Sequence, residues 1–183
     1  YLNCMLEIEN RPKAIGFHLL TKYSYNGEVE VAKKMEKNYP GKFAHFLMPT
    51  MINPWIDVSA DTVKKILEKN PGLFLGIGEL KTYDGRELDD PFLIEIYELA
   101  KKHKLIVMLH PFDDQRDILE EIIKKYPEVK FLLHGIDTAS AGGVPSPDKP
   151  YKEVDNIDWL MGIIKNYKNV YYSVDHPLKI YGF

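Results

Sequence analysis

Residues 105–134, LIVMLHPFDDQRDILEEIIKKYPEVKFLLH, decide the fold. The stretch opens and closes on a short apolar run, Leu105 to His110 (LIVMLH) and Val129 to His134 (VKFLLH), and each run ends in a histidine. Between them Ile118, Leu119, Ile122, Ile123 and Tyr126 recur at the spacing of one helical face, the stripe of a helix packed on a sheet. Near-continuous apolar strands alternating with amphipathic helices predict parallel strands whose faces are both covered.

The same unit repeats outward in both directions. Leu73 to Glu79 (LFLGIGE) is a strand whose helix takes Asp90 as N-cap and Pro91 as first helical residue, then buries Leu93, Ile96, Tyr97 and Ala100. Lys42 to Met48 (KFAHFLM) is a strand closed by Pro49. Its helix starts from Ser59 as N-cap, turns Val63, Ile66 and Leu67 to one face, and stops at Asn70-Pro71-Gly72. Downstream, a helix around Ile157 to Tyr167 leads into a strand over Val170 to Asp175 (VYYSVD). At the N-terminal side, Leu2 to Ile8 reads as a strand and Val29 to Tyr39 as a helix, on weaker patterns, and residues 1–40 are poorly defined as a whole. Residues 136–156 form a long loop rich in Gly, Pro and Ser, a length that suits a lid, a binding loop or disorder. The pattern is α/β and fits one domain over 1–183. Two architectures accommodate it, a TIM-type (β/α) barrel and an open parallel sheet.

Composition narrows the function classes. The 183 residues are 45% hydrophobic and 28% charged, which provides for a real core and is unlike a disordered chain. A formal charge of -3 and a pI near 6.1 give no global basic field, so nucleic acid is disfavoured as a partner, although a local basic patch is compatible with the sequence. Cys4 is the single cysteine, which rules out an intramolecular disulfide framework and a multi-cysteine zinc site and fits a reducing, cytoplasmic compartment. No apolar run approaches the ~20 residues that cross a bilayer. The N-terminus lacks the cationic and apolar regions of a signal peptide. It also lacks an initiator Met, as a processed or incomplete piece would. A small-molecule substrate is the expected partner, and a homo-oligomer is compatible with the sequence.

The polar residues suited to chemistry are not scattered. Glu79, His110, His134 and Asp175 each stand where a predicted apolar strand gives out. In a parallel β/α fold the C-terminal strand ends form one rim, so four strands deliver two carboxylates and two imidazoles to one mouth. This is a mixed nitrogen and oxygen donor set for a divalent metal, zinc first and manganese or iron next, with one or two ions. The ion activates water, and a remaining carboxylate takes the proton. Each residue also has a structural reading. A strand-end histidine can serve as a satisfied cap, Glu79 can pair with Lys81 or Arg86, and Asp175 can open a turn with His176 and Pro177.

Other candidates are weaker. His45, mid-strand in FAHFLMP, reads as an interior histidine, and His18 as a lone histidine with no nearby partner. His103, among lysines 101, 102 and 104, reads as a solvated helix end. Gly76 and Gly78 lack the third glycine of a dinucleotide fingerprint. Cys4 has no local base, and Ser140, Ser146 and Ser173 lack a nucleophile-elbow context. The paired lysines 33–34, 64–65, 101–102 and 124–125 read as the solvated outside of a helical layer.

The run Gly78-Glu79, helix, Val107-Met108-Leu109-His110, helix, Phe131-Leu132-Leu133-His134-Gly135 resembles the middle of the amidohydrolase superfamily, nearest to the TatD-type and amidohydrolase-related metal-dependent hydrolases. The resemblance covers Leu73 to Gly135. It implies a (β/α)8 barrel with one or two divalent metals at its rim, Glu79 as the metal-binding glutamate, and His110 and His134 as the strand-end histidines. It implies a metal-dependent hydrolase acting on an amide, ester or phosphoester, or a decarboxylase of the same superfamily. Asp175, in Ser173-Val174-Asp175-His176-Pro177, resembles loosely the family's final ligand and base. Lys81 is an outside candidate for the carbamylated lysine that bridges metals in some relatives. The opening His-x-His of the family is absent, since His18 stands with Gly16 and Leu20 at the flanking positions. That absence motivates the alternative of a non-catalytic, barrel-derived binding module. A full barrel takes about 250 residues, so the expectation is that barrel elements are missing from the 183 residues, at the ends or at loops, with a reduced barrel as the alternative.

Overall fold

A computed structural model of the chain describes residues 14–135 and 153–173. The strands are β1 (Ala14–Leu20), β2 (Phe43–Pro49), β3 (Phe74–Leu80), β4 (Ile106–Leu109), β5 (Lys130–Leu133) and β6 (Val170–Tyr172). The helices are α1 (Tyr25–Asn38), α2 (Ala60–Lys69), α3 (Pro91–His103), α4 (Arg116–Lys125) and α5 (Glu153–Asn166), and a 3-10 turn at Asp113–Gln115 leads into α4. The helix starts are chemically specified. Ser59 Oγ accepts the Thr62 amide at 3.2 Å, and Asp90 Oδ1 accepts the Phe92 amide at 2.9 Å with Pro91 at the first helical position. At the other end of α3, Lys104 turns left-handed (φ 55°) and closes the helix.

The strands form a six-stranded sheet in the order β1-β2-β3-β4-β5-β6, and every neighbouring pair is parallel. This order decides between the two architectures. A doubly wound sheet reverses its strand order at a switch point, whereas a barrel adds each unit beside the last in the same direction. With right-handed crossovers and no reversal, the described helices fall on one face of the sheet. Val63, Ile66 and Leu67 of α2, Leu93, Ile96, Tyr97 and Ala100 of α3, and Leu119, Ile122 and Ile123 of α4 are buried there. They meet Leu47, Ile77, Val107, Leu109, Phe131 and Leu133 of the strands in one core. Tyr97 is the centre of its aromatic part, 5.5 Å from the Tyr126 ring and 5.9 Å from the Phe131 ring, with its hydroxyl donated to the Leu88 carbonyl at 3.0 Å. The paired lysines are exposed, as the sequence predicts.

The opposite face of β1 is open. Ile15, Phe17 and Leu19 are 40–44% exposed, while the alternate residues His18 and Leu20 are 2% and 0% exposed. Strand β1 is itself a departure from the sequence reading, which assigned no element to Ala14–Leu20. Its stretch AIGFHLL is apolar on both parities, so it offers no alternation to mark which face is buried. Two further boundaries move. Helix α1 begins at Tyr25 rather than Val29, and α5 begins at Glu153 rather than near Ile157, so the expected loop 136–156 gives up its last residues to a helix. The predicted strand at Leu2 to Ile8 and the remainder of the long loop lie outside the described residues. No described helix is long and apolar enough to cross a membrane.

Candidate functional site

Glu79, His110 and His134 come together at the C-terminal strand ends. The residues are placed by backbone ladder bonds that run one step past the strands. The His110 amide is donated to the Leu80 carbonyl and the His134 amide to the Leu109 carbonyl, each at 2.9 Å. Both imidazoles therefore stand one residue beyond the observed ends of β4 and β5, on backbone fixed by the preceding strand. Glycines make room for the convergence. Gly78 has φ 135°, and a Cβ there would overlap the backbone carbonyl of Met108, so only glycine lets β3 lie this close to β4. Gly135, at φ 70°, follows His134 directly, and a Cβ there would overlap the His110 imidazole.

One carboxylate oxygen holds the three residues together. Glu79 Oε1 accepts from His110 Nδ1, and it accepts from His134 Nδ1 at 2.8 Å. The two rings meet edge to face with centroids 5.0 Å apart. Side-chain exposures of 21% for Glu79, 12% for His110 and 22% for His134 leave the group reachable from solvent. Burial by itself would raise the Glu79 pKa, but the hydrogen bonds and charges of the two histidines outweigh it and bring the carboxyl down to about 2. One ligand-type atom from each residue lies within 4.8 Å of the others, a separation a single cation can bridge. Two imidazole nitrogens and a carboxylate oxygen are also the donor chemistry that zinc and similar divalent ions accept, with coordination positions to spare.

The surroundings of the trio differ from two expectations. Arg86 does not pair with Glu79. Its guanidinium forms a fork on Asp84, with Nε at 3.0 and 2.9 Å from the two carboxylate oxygens, and lies 3.6 Å from Asp57 and 3.8 Å from Asp90. Lys81 makes no ion pair with Glu79 either. Its ammonium instead reaches the far side of His110, 3.2 Å from Nε2. Gln115 is a residue beside the candidate site that the sequence reading did not single out. Buried in the 3-10 turn, its amide donates to Thr82 Oγ1 at 3.1 Å and to the Arg86 carbonyl at 3.3 Å, and its oxygen accepts the Phe112 amide at 3.0 Å. It thus ties the loop after β3 to the loop after β4, and both carry mouth residues. The only hint in sequence is a polar residue just before an apolar helical stripe, a pattern shared by many solvated turns.

His45 is a buried histidine, as the sequence reading has it, whereas His18, read as lone, has a partner. His18 Nε2 and His45 Nδ1 are 2.9 Å apart in a hydrogen bond, on the helix-facing side of β1 and β2, and both residues are almost fully buried. The outer nitrogens, His18 Nδ1 and His45 Nε2, have no hydrogen-bond partner and lie 3.6 Å from Glu28 and Glu36 of α1 respectively. His103 also differs from a solvated helix end, since it is half-buried and its Nε2 is shielded without a partner. Asp175, His176 and Cys4 lie outside the described residues.

No protein-family model and no curated sequence matches the chain. Among solved structures it is similar to an uncharacterised TIM-barrel protein from Bordetella bronchiseptica, at 14% identity and TM-score 0.58, over 98% of this chain and 61% of that one. It is also similar to YJJV, a TatD homolog from Escherichia coli K12, at 16% identity and TM-score 0.49, over 91% of this chain and 84% of that one. A third is an amidohydrolase 2 from Bifidobacterium longum subsp. infantis, at 14% identity and TM-score 0.42, over 92% of this chain and 77% of that one. The chain thus spans about three-fifths of the length of the Bordetella protein. The strand order and the Bordetella superposition agree, and the chain has the parallel β/α fold of TIM-barrel proteins.

Proposed function

We propose that the chain carries the metal centre of a metal-dependent hydrolase, with Glu79, His110 and His134 as the protein ligands. The observation that carries this reading is the single Glu79 oxygen receiving both imidazoles at the strand-end rim. The resemblance of Gly78-Glu79, Val107–His110 and Phe131–Gly135 to amidohydrolase motifs points the same way. Glu79 is ionised down to about pH 2, so it is ready as an anionic ligand across the neutral range. Each neutral imidazole would face an ion with its unprotonated nitrogen and carry its one proton on the other ring nitrogen. A divalent ion held by these three residues, zinc by preference and manganese or iron as alternatives, would supply a bound water of pKa near ~7. Asp175 is proposed as the group that accepts the proton from that water. The substrate class is an amide, ester or phosphoester, and decarboxylation is the alternative reaction for the same mouth.

The test loads the purified chain with zinc or manganese and removes free ion. Retained metal is then measured by mass spectrometry, with turnover of chromogenic ester, phosphoester and anilide substrates. Retention near one or two ions per chain, lost in His110→Ala and His134→Ala, together with metal-stimulated turnover, is the expected result. No retained ion and no metal-stimulated turnover would overturn the reading. A second reading, a metal-holding module without catalysis, is favoured by one observation: His18 and His45 are spent on each other beneath α1, so neither β1 nor β2 sends a histidine to the mouth. Retained metal with no turnover of any substrate class supports that second reading.

A further inference from the structure

Several of the described basic side chains pair with carboxylates. Lys65 pairs with Asp61, Lys101 with Glu128, Lys124 with Glu120, and Arg86 with Asp84. Lys81 is different. It sits two residues after Glu79, half-buried at the mouth, and makes no ion pair with any described carboxylate. Its Nζ lies 5.1 Å from the Tyr83 ring centroid and 5.5 Å from that of Phe112, distances at which an aromatic face attracts a cation. An ammonium has three N–H donors, and the one protein acceptor it meets among the described residues is His110 Nε2, at 3.2 Å. Burial lowers the Lys81 pKa from its ordinary value, and the charge of Glu79, whose oxygen is taken by the two histidines, offsets that only in part. The loops that carry this arrangement are fixed to each other by Gln115, through Thr82 on one side and Phe112 on the other.

A half-buried cation beside a candidate reaction centre, with donors left over and no carboxylate of its own, is a receptor for an oxyanion. We propose that Lys81, held against the rings of Tyr83 and Phe112, forms a subsite for a carboxylate or phosphoryl group carried by a small-molecule substrate. The inference rests on the mouth being a substrate site, the reading proposed above, and it adds a substrate class to it: anionic molecules whose oxyanion lies on the Nε2 side of His110, opposite Glu79. Tyr83 is 63% exposed, so it can cover such a group from the solvent side without disturbing the core.

The test is calorimetric titration of the full chain with inorganic phosphate and, separately, with acetate, in metal-free and zinc-loaded forms. The proteins compared are the wild type, Lys81→Gln, Lys81→Arg and Tyr83→Leu, with zinc content measured for each. Lys81→Gln is expected to weaken at least one anion by about tenfold or more, and Lys81→Arg to stay within about threefold of wild type. An effect confined to phosphate assigns a phosphoryl group, and one confined to acetate a carboxylate. Wild-type affinity for both anions in Lys81→Gln, or no binding of either anion by the wild type, would overturn the subsite. If Lys81→Gln does not fold, Tyr83→Leu decides, since an unchanged affinity there overturns the proposal and a loss of about threefold supports it. Lys81-dependent anion binding by metal-free protein that also retains no zinc would leave the subsite standing and remove the hydrolase reading.

Discussion

Two clusters of histidine and glutamate sit on the same sheet, and they are wired in opposite senses. At the mouth, Glu79 is the hub and both imidazoles point at its one oxygen. Beneath α1, the imidazoles of His18 and His45 point at each other, and Glu28 and Glu36 stand back at 3.6 Å. In the first, the carboxylate is stabilised as an anion and its pKa falls to about 2. In the second, burial and the neighbouring imidazole disfavour a charge on His18 and lower its pKa to about 4, while burial also lowers that of His45 against the pull of Glu36. The same residue types thus make a charged, half-open acceptor in one place and a neutral, closed pair in the other. What separates them is position along the strand. Histidines one residue past a strand end face a rim, whereas histidines inside a strand face a helix.

The comparison can be broken most severely at its hub. Glu79→Gln should reduce zinc affinity by about 100-fold or more, because the carboxylate proposed to bind the metal is replaced by a neutral amide, and equilibrium dialysis with zinc would measure it. Retention of wild-type affinity would show that the two imidazoles do not need the carboxylate.

Acid should separate the clusters in sequence. His18 is neutral in the fold, with a pKa lowered from 6.5 to about 4. Its contribution is therefore complete above pH 6.5 and is lost as pH falls from there toward 4, by at most about 3 kcal/mol. Glu79, lowered from 4.5 to about 2, contributes above pH 4.5 and is lost only below that. Urea unfolding of metal-free protein from pH 7 to 4 should show the first loss, and His18→Leu/His45→Leu should flatten it. Persistence of the slope in the double variant would sever the link to the pair.

A single substitution sharpens the same point. His45→Leu leaves His18 Nε2 without its partner and should cost about 1–3 kcal/mol at pH 7, whereas the double change to leucine should be close to neutral. Denaturant midpoints of the three proteins at one pH decide it. Equal costs for the single and double changes would mean that the hydrogen bond is not what matters. The smallest expected effect is at Gly135, where alanine is strained by φ 70° and its Cβ meets His110. Gly135→Ala should cost about 1–2 kcal/mol in stability, with a matching loss of zinc affinity. No change in either would mean that the His110 ring shifts freely.

The contrast also marks how far sequence could see. Glu79, His110 and His134 were legible because each interrupts an apolar run at its end, and parallel strands collect such ends by topology alone. Ser59, Asp90 and Pro91 were legible because caps act locally. The His18–His45 pair was not, since the partners are 27 residues apart and only the register that sets Gly16 beside His45 and His18 beside Leu47 makes them neighbours. Arg86 was misassigned for a related reason. Its local partners Asp84 and Asp90 were in view, but only the bridge between Thr21 and Asp57 and the loops around it bring Asp57 close. Gln115 works through two loops at once, and no periodic pattern marks a residue of that kind.

The ladder bonds that carry His110 on Leu80 and His134 on Leu109 have a consequence in time. Glu79 is separated from His110 by 31 residues and from His134 by 55, so no local segment can assemble the trio. Closing chain loops of that size costs entropy that is recovered only once successive β/α units dock. Along the growing chain Glu79 appears first, His110 offers it one donor, and the cluster is complete only when β5 lies down beside β4. A ligand that requires all three side chains therefore senses the docking of three consecutive units, and its binding stabilises them together.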